Sequence, residues 1–184
     1  FIASNAPFYP RFNMEQFNSY LQEFDIPSSN SLQQMSYGQK KKVLISFALA
    51  CNTAVLLMDE PSNGLDIMSK SQFRKVIAGA VDEHKCIIIS THQVKDLENL
   101  IDRITIIDEG KILFNETMES IAHKLSFRFA YDQEDVAAAF YSESSFAGTV
   151  VVSPNTEGEE SKVDLELLYK AIVTNPETSK SFQH

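Results

Sequence analysis

The chain has 184 residues, 43% of them hydrophobic, which suits one main domain with a core and leaves room for a small appendage. A net charge of -9 argues against a broad nucleic-acid footprint. Only Lys40-Lys41-Lys42 forms a basic run, and it reads as a solvated helix turn.

The opening Phe1-Ile2-Ala3-Ser4-Asn5-Ala6-Pro7 resembles the middle of a protein, with no signal peptide, so the sequence is expected to be a fragment of a longer polypeptide. Phe17, Tyr20, Leu21 and Phe24 fall at helical spacing behind an Asn13-x-x-Gln16 capping box, which predicts an amphipathic helix whose apolar face is core. Pro27-Ser28-Ser29-Asn30-Ser31 reads as a loop and Lys40 to Cys51 as a helix. Ala54 to Met58 is a short apolar run of the kind buried in a parallel sheet, stopped by Asp59-Glu60-Pro61.

Phe73, Val76, Ile77, Ala80 and Val81 predict a helix, Cys86 to Ile89 a second buried strand, Leu97, Leu100 and Ile101 another helix, and Ile104 to Ile107 a third strand. That alternation predicts an α/β domain with a parallel sheet. Asp108-Glu109-Gly110-Lys111 should turn into a hairpin with Ile112 to Phe114. Beyond Leu125, strands are expected at 126–131 and 149–152, an acidic loop at 155–162, and a helix from Asp164 to Val173, a small α+β extension. Cys51 and Cys86 have no CxxC partner and no His at ligand spacing, so both read as buried thiols in a reducing compartment. No apolar run approaches the roughly 20 residues that span a bilayer, so any membrane connection is expected through a partner.

Four motifs carry chemistry. Asp59 closes a strand at its carboxyl end, where open α/β sheets place ligands, and could hold Mg²⁺ through its water shell. Glu60 could act as general base on an attacking water, an effect worth about 10² to 10⁴ in rate. His92 ends the next strand, after Ser90-Thr91. Ser36-Tyr37-Gly38-Gln39 opens a helix and offers a hydroxyl and free amides to an anion. Each has a plainer reading alone: a strand stop, a structural histidine, a serine helix cap. Together they point to nucleoside-triphosphate chemistry, yet no G-x-x-x-x-G-K-[ST] loop occurs in the sequence.

The run Met35-Ser36-Tyr37-Gly38-Gln39-Lys40-Lys41-Lys42-Val43-Leu44 resembles the signature motif of ATP-binding cassette (ABC) proteins. Val55 to Pro61 resembles their Walker B strand, Asn63-Gly64-Leu65-Asp66 their D-loop, and His92 their switch histidine, in the family's order over residues 8–120. The resemblance implies a P-loop NTPase-like parallel sheet, incomplete here, with 1–36 in a helical subdomain, 37–124 in the ATPase core and 125–184 as an accessory extension.

It implies ATP and Mg²⁺ as cofactors, Asp59 on the metal, Glu60 and His92 as catalytic groups, and Ser36, Tyr37, Gly38 and Gln39 contacting ATP held by a second nucleotide-binding domain packed head to tail. Asp66 would communicate across that seam. A membrane transporter subunit is the other implied partner, docking on the aromatic helix, with no nucleic acid and a cytoplasmic position at the membrane face. Tyr37 departs from the family, which usually has Gly there.

The family's phosphate loop, adenine-stacking aromatic and Gln loop have no counterpart in the sequence. The phosphate-loop strand would lie between the second and third strands. Its loss predicts unpaired edges, bare apolar surface and a marginally stable, association-prone chain. The leading expectation is the ATPase subunit of a transporter. The alternatives are a soluble cassette ATPase acting on ribosomes or chromosomes, which would bring a second cassette or coiled-coil arms, and a non-catalytic module that binds no ATP alone and completes a partner's site.

Overall fold

The computed structural model describes residues 1–27, 31–98, 100–156, 158 and 160–182, in two units, Phe1–Leu100 and Ile101–His184. The loops expected at 27–31 and 155–162 lie partly outside the described residues.

The first unit begins with a single helical turn, α1 (Ile2–Asn5), and a 3₁₀ turn at Ala6–Phe8. Helix α2 (Met14–Glu23) starts where the Asn13 side chain accepts the amides of Glu15 and Gln16. The Gln16 side chain does not complete a capping box. It accepts a bond from Asn52 Nδ2 at 2.6 Å, while the Asn13 amide donates to the Ala50 carbonyl at 2.9 Å. The cap is thus closed from the end of the next long helix, α3 (Tyr37–Ala50). Phe17, Leu21 and Phe24 are buried as the periodicity predicts, Tyr20 is half-buried, Ile26 beyond them is also buried, and α2 packs on α3. Phe47 of α3 receives the rings of Phe1 and Tyr9 edge-on at 5.1 and 5.6 Å.

Strand β1 (Val55–Asp59) leads through a turn into α4 (Ile67–Ala80), then to β2 (Cys86–Ser90), which pairs with β1 in parallel. Phe73, Val76, Ile77 and Ala80 are buried on α4. The expectation of two fully buried strands needs correction: both alternate between exposed and half-buried positions. The register pairs Val55 with Cys86 and Leu57 with Ile88 on one face, where Leu57 is 71% exposed and Ile88 53%. Period-2 side-chain alternation leaves that face open while Leu56, Met58, Ile87 and Ile89 are half-buried. Cys51 is buried, but Cys86, on the open face, is exposed rather than the buried thiol expected. The helix expected from Leu97 to Ile101 does not form among the described residues. A 3₁₀ turn, Val94–Asp96, is followed by i→i+3 bonds from the Leu97 and Leu100 amides. Three apolar positions within five residues bury Leu97 but are too few to offset helix nucleation.

In the second unit, β3 (Arg103–Asp108) forms an antiparallel hairpin with β4 (Lys111–Thr117). Glu109 and Gly110 at its tip have φ of +46° and +75°, the left-handed pair that a two-residue type I′ turn requires. The hairpin is thus the one that the turn residues predict, whereas the parallel partner expected for β3 is not found among the described residues. Helix α5 (Met118–Lys124) then leads to β5 (Leu125–Phe129), α6 (Gln133–Ala138), β6 (Tyr141–Ser145), β7 (Gly148–Pro154), α7 (Leu165–Thr174) and α8 (Pro176–Lys180). The sheet runs β5-β7-β6, all antiparallel, with Val151 and Val152 of the central strand fully buried. Strand β6 escaped the sequence reading because Tyr141-Ser142-Glu143-Ser144-Ser145 has no apolar alternation. It is an edge strand, set by pairing to β7.

Candidate functional site

The parallel register brings Asp59 opposite Ser90, so the acidic end of β1 and the Ser90-Thr91-His92 segment after β2 meet. Asp59 accepts the Ser90 hydroxyl on Oδ1. Glu60, one residue on, takes a left-handed backbone (φ +45°) and its carboxylate reaches a different set of donors. Oε1 accepts the His92 amide at 2.9 Å and His92 Nδ1 at 2.6 Å, while Oε2 accepts the Thr91 hydroxyl at 3.2 Å. Since a carboxylate can only accept, Nδ1 carries the proton of that bond. Burial pushes the Glu60 carboxyl up, but the ring and amide bonds from His92, its charge, and the Thr91 hydroxyl outweigh this and hold it below the usual carboxylate range.

Beyond Glu60 the chain is pinned by buried Ser62 and Leu65, leaving Asn63, Gly64 and Asp66 exposed. Gly64 has φ +76° and sits against the Tyr37 ring, which a Cβ there would meet at 3.4 Å. Asp66 caps α4, accepting the Ser69 amide at 2.9 Å and the Ser69 hydroxyl at 2.8 Å, and these bonds hold its carboxyl below its ordinary value.

Ser36 and Gln39 form a complete capping box at the start of α3: Ser36 Oγ accepts the Gln39 amide at 3.2 Å, and Gln39 Oε1 accepts the Ser36 amide at 2.9 Å. The hydroxyl proton of Ser36 is not consumed by this cap. Tyr37 is 72% exposed, and a Cβ on Gly38 would point into open space. The unpaired amides of this first turn are therefore approachable by an anion.

Sequence reasoning missed two groups. Thr91 was readable only as a neighbour of His92. Lys41 sat inside a run taken for a solvated turn, yet its Nζ donates to the carbonyls of Glu60 and Asn63 at 2.7 and 2.8 Å. Lys42 is likewise engaged, with Phe24 O and Gln72 Oε1. Among the described residues no three His, Cys, Asp or Glu side chains stand together as a metal cluster. Asp59 with the Ser90 hydroxyl is a hard-oxygen pair with one carboxylate oxygen to spare, which fits a magnesium ion that keeps most of its water.

Residues 10–63 match the family model described as ABC transporter, a stretch holding Ser36–Gln39 and Asp59–Pro61. That stretch is similar to the ATP-binding proteins of ABC transporters. It is 32% identical over 98 residues to an uncharacterized ABC transporter ATP-binding protein of Methanocaldococcus jannaschii, covering 53% of this chain and 37% of that protein. With the ABC transporter ATP-binding protein NatA of Bacillus subtilis it shares 35% identity over 86 residues, 47% of this chain and 35% of that one. A solved ATP-binding subunit of an ABC transporter aligns with a TM-score of 0.56 at 23% identity, over 65% of this chain and 52% of that chain, a likeness of fold. The chain spans well under half the length of these curated relatives. No helix among the described residues is long and apolar enough to cross a membrane.

Proposed function

We propose that the protein from which these residues come is the ATP-hydrolysing subunit of an ABC transporter, working as a head-to-tail dimer of nucleotide-binding domains at the cytoplasmic face of a membrane subunit. The observation that carries this is the strand-end constellation: the Glu60 carboxylate fixed by Thr91 and His92, beside Asp59.

In this reading Glu60 takes the proton of the attacking water. A glutamate is ionised at neutral pH, and one lone-pair position of its carboxylate remains beyond the three donors it already accepts. His92 orients Glu60 through its ring and amide. Asp59 would hold Mg²⁺, which, when bound, neutralises charge on the phosphates. The Ser36 hydroxyl and the free amides of Tyr37 and Gly38 would address the terminal phosphate of ATP carried by the partner domain, and Gln39 fixes Ser36 through the capping box. Asp66 would relay between domains while capping α4. Exposed Tyr37, Ile67 and Met68 flank the Gly64 turn and support a packed partner there. A domain plan of 1–36, 37–124 and 125–184 accompanies this reading.

The test is Glu60→Gln in the full-length gene product. ATP binding is expected to persist while hydrolysis falls by about 10² or more; turnover at the unmodified rate would sink the assignment.

A further inference from the structure

We propose that Lys41 is a positioning residue that sets where the Glu60 carboxylate stands, so that the first turns of α3 and the strand-end carboxylate move as one body. Three observations converge. Glu60 is a non-glycine residue at φ +45°, a conformation that persists only when its surroundings hold it. Its carbonyl accepts the Asn63 amide at a long 3.2 Å and the Lys41 ammonium at 2.7 Å, and the same ammonium takes the Asn63 carbonyl at 2.8 Å. One cation therefore clasps both ends of the Glu60–Asn63 turn, and charge-assisted bonds of this length are the strong kind.

Lys41 also stands one helical turn beyond Tyr37, whose ring covers Gly64 in the same loop. The turn is thus held twice from α3, once by a ring and once by a charge. A ligand that draws on the Ser36–Gln39 turn pulls on a helix bonded to the backbone of Glu60. Burial pushes the Lys41 ammonium down and the Glu60 charge pushes it up, with burial prevailing. This inference rests on the assignment of Glu60 as the proposed base, but its test does not.

The test is NMR on the full 184-residue chain, comparing wild type with Lys41→Met, Lys41→Arg and Lys41→Gln. The His92 amide proton, which donates to Glu60 Oε1, reports where the carboxylate stands. In Lys41→Met that amide is expected to move upfield. Lys41→Arg, which can still bond both carbonyls, should restore it. If Lys41→Met does not fold, Lys41→Gln, which retains a neutral donor, decides, with an intermediate displacement expected. A folded Lys41→Met or Lys41→Gln chain with the His92 amide unmoved overturns the proposal. Turnover in the Glu60→Gln protein would overturn the functional reading while leaving this result standing.

Discussion

Glu60 and Asp135 are both carboxylates held below their ordinary pKa, but by different means and in different units. At Glu60 burial opposes ionisation and hydrogen bonds overcome it. At Asp135 the Arg128 guanidinium fork, at 2.6 and 2.7 Å, dominates, with the Tyr131 amide adding to it. The lowered folded value fixes the sign of the pH dependence. Above the unfolded aspartate value of about 3.9 the stabilisation is fully present, and it is lost as pH falls further and the unfolded chain takes up the proton first. Asp135→Asn should therefore weaken the chain at pH 7 and flatten its loss of stability in acid, read from urea midpoints across that range. A variant that loses stability with acid as steeply as wild type would mean the pair contributes nothing. Glu60, His92, Asp59 and Ser36 were nameable from residue order, because the motif fixes which side chains end which strands. Lys41 was not, because nothing in a run of three lysines distinguishes a lysine aimed at two carbonyls from one aimed at water.

Helix starts were legible at Asn13, Ser36 and Asp164, where a short polar side chain caps the helix, but not at Asp66, Thr117, Asp132 or Asn175, which cap helices in the same way. What escaped was the second half of the Asn13 cap, since Gln16 is drawn to Asn52, a residue 36 positions away. Asn13→Ala removes the acceptor for two amides and is expected to cost about 1 kcal/mol. Urea unfolding checks this, and Asn13→Asp should be nearly neutral; equal losses for both would point to tertiary contacts rather than the cap. The Leu97–Ile101 misreading has the opposite cause: spacing was right for a helix, but the run was too short to propagate one.

On the scale of the first unit, the open face of β1 and β2 is the main physical liability. Val55, Leu57 and Ile88 are each more than half exposed on a two-stranded sheet, among the described residues. Apolar surface of this kind drives association. The chain is expected to self-associate with rising concentration in sedimentation velocity, and Leu57→Ser with Ile88→Thr to suppress this with little loss of fold. Undiminished association of the double variant would place the sticky surface elsewhere.

The sequence by itself determined the motif order, the α/β alternation of the first unit, the helix faces and the Glu109-Gly110 hairpin, since each follows from local periodicity or backbone freedom. Only the tertiary structure decided that β1 and β2 show one apolar face to solvent, that Gln16 bonds Asn52 rather than its own cap, and that Lys41 clasps the Glu60 turn. Those outcomes depend on which distant groups remain to pair with a strand edge, a sheet face or a carbonyl, and such pairing leaves no periodic trace along the chain.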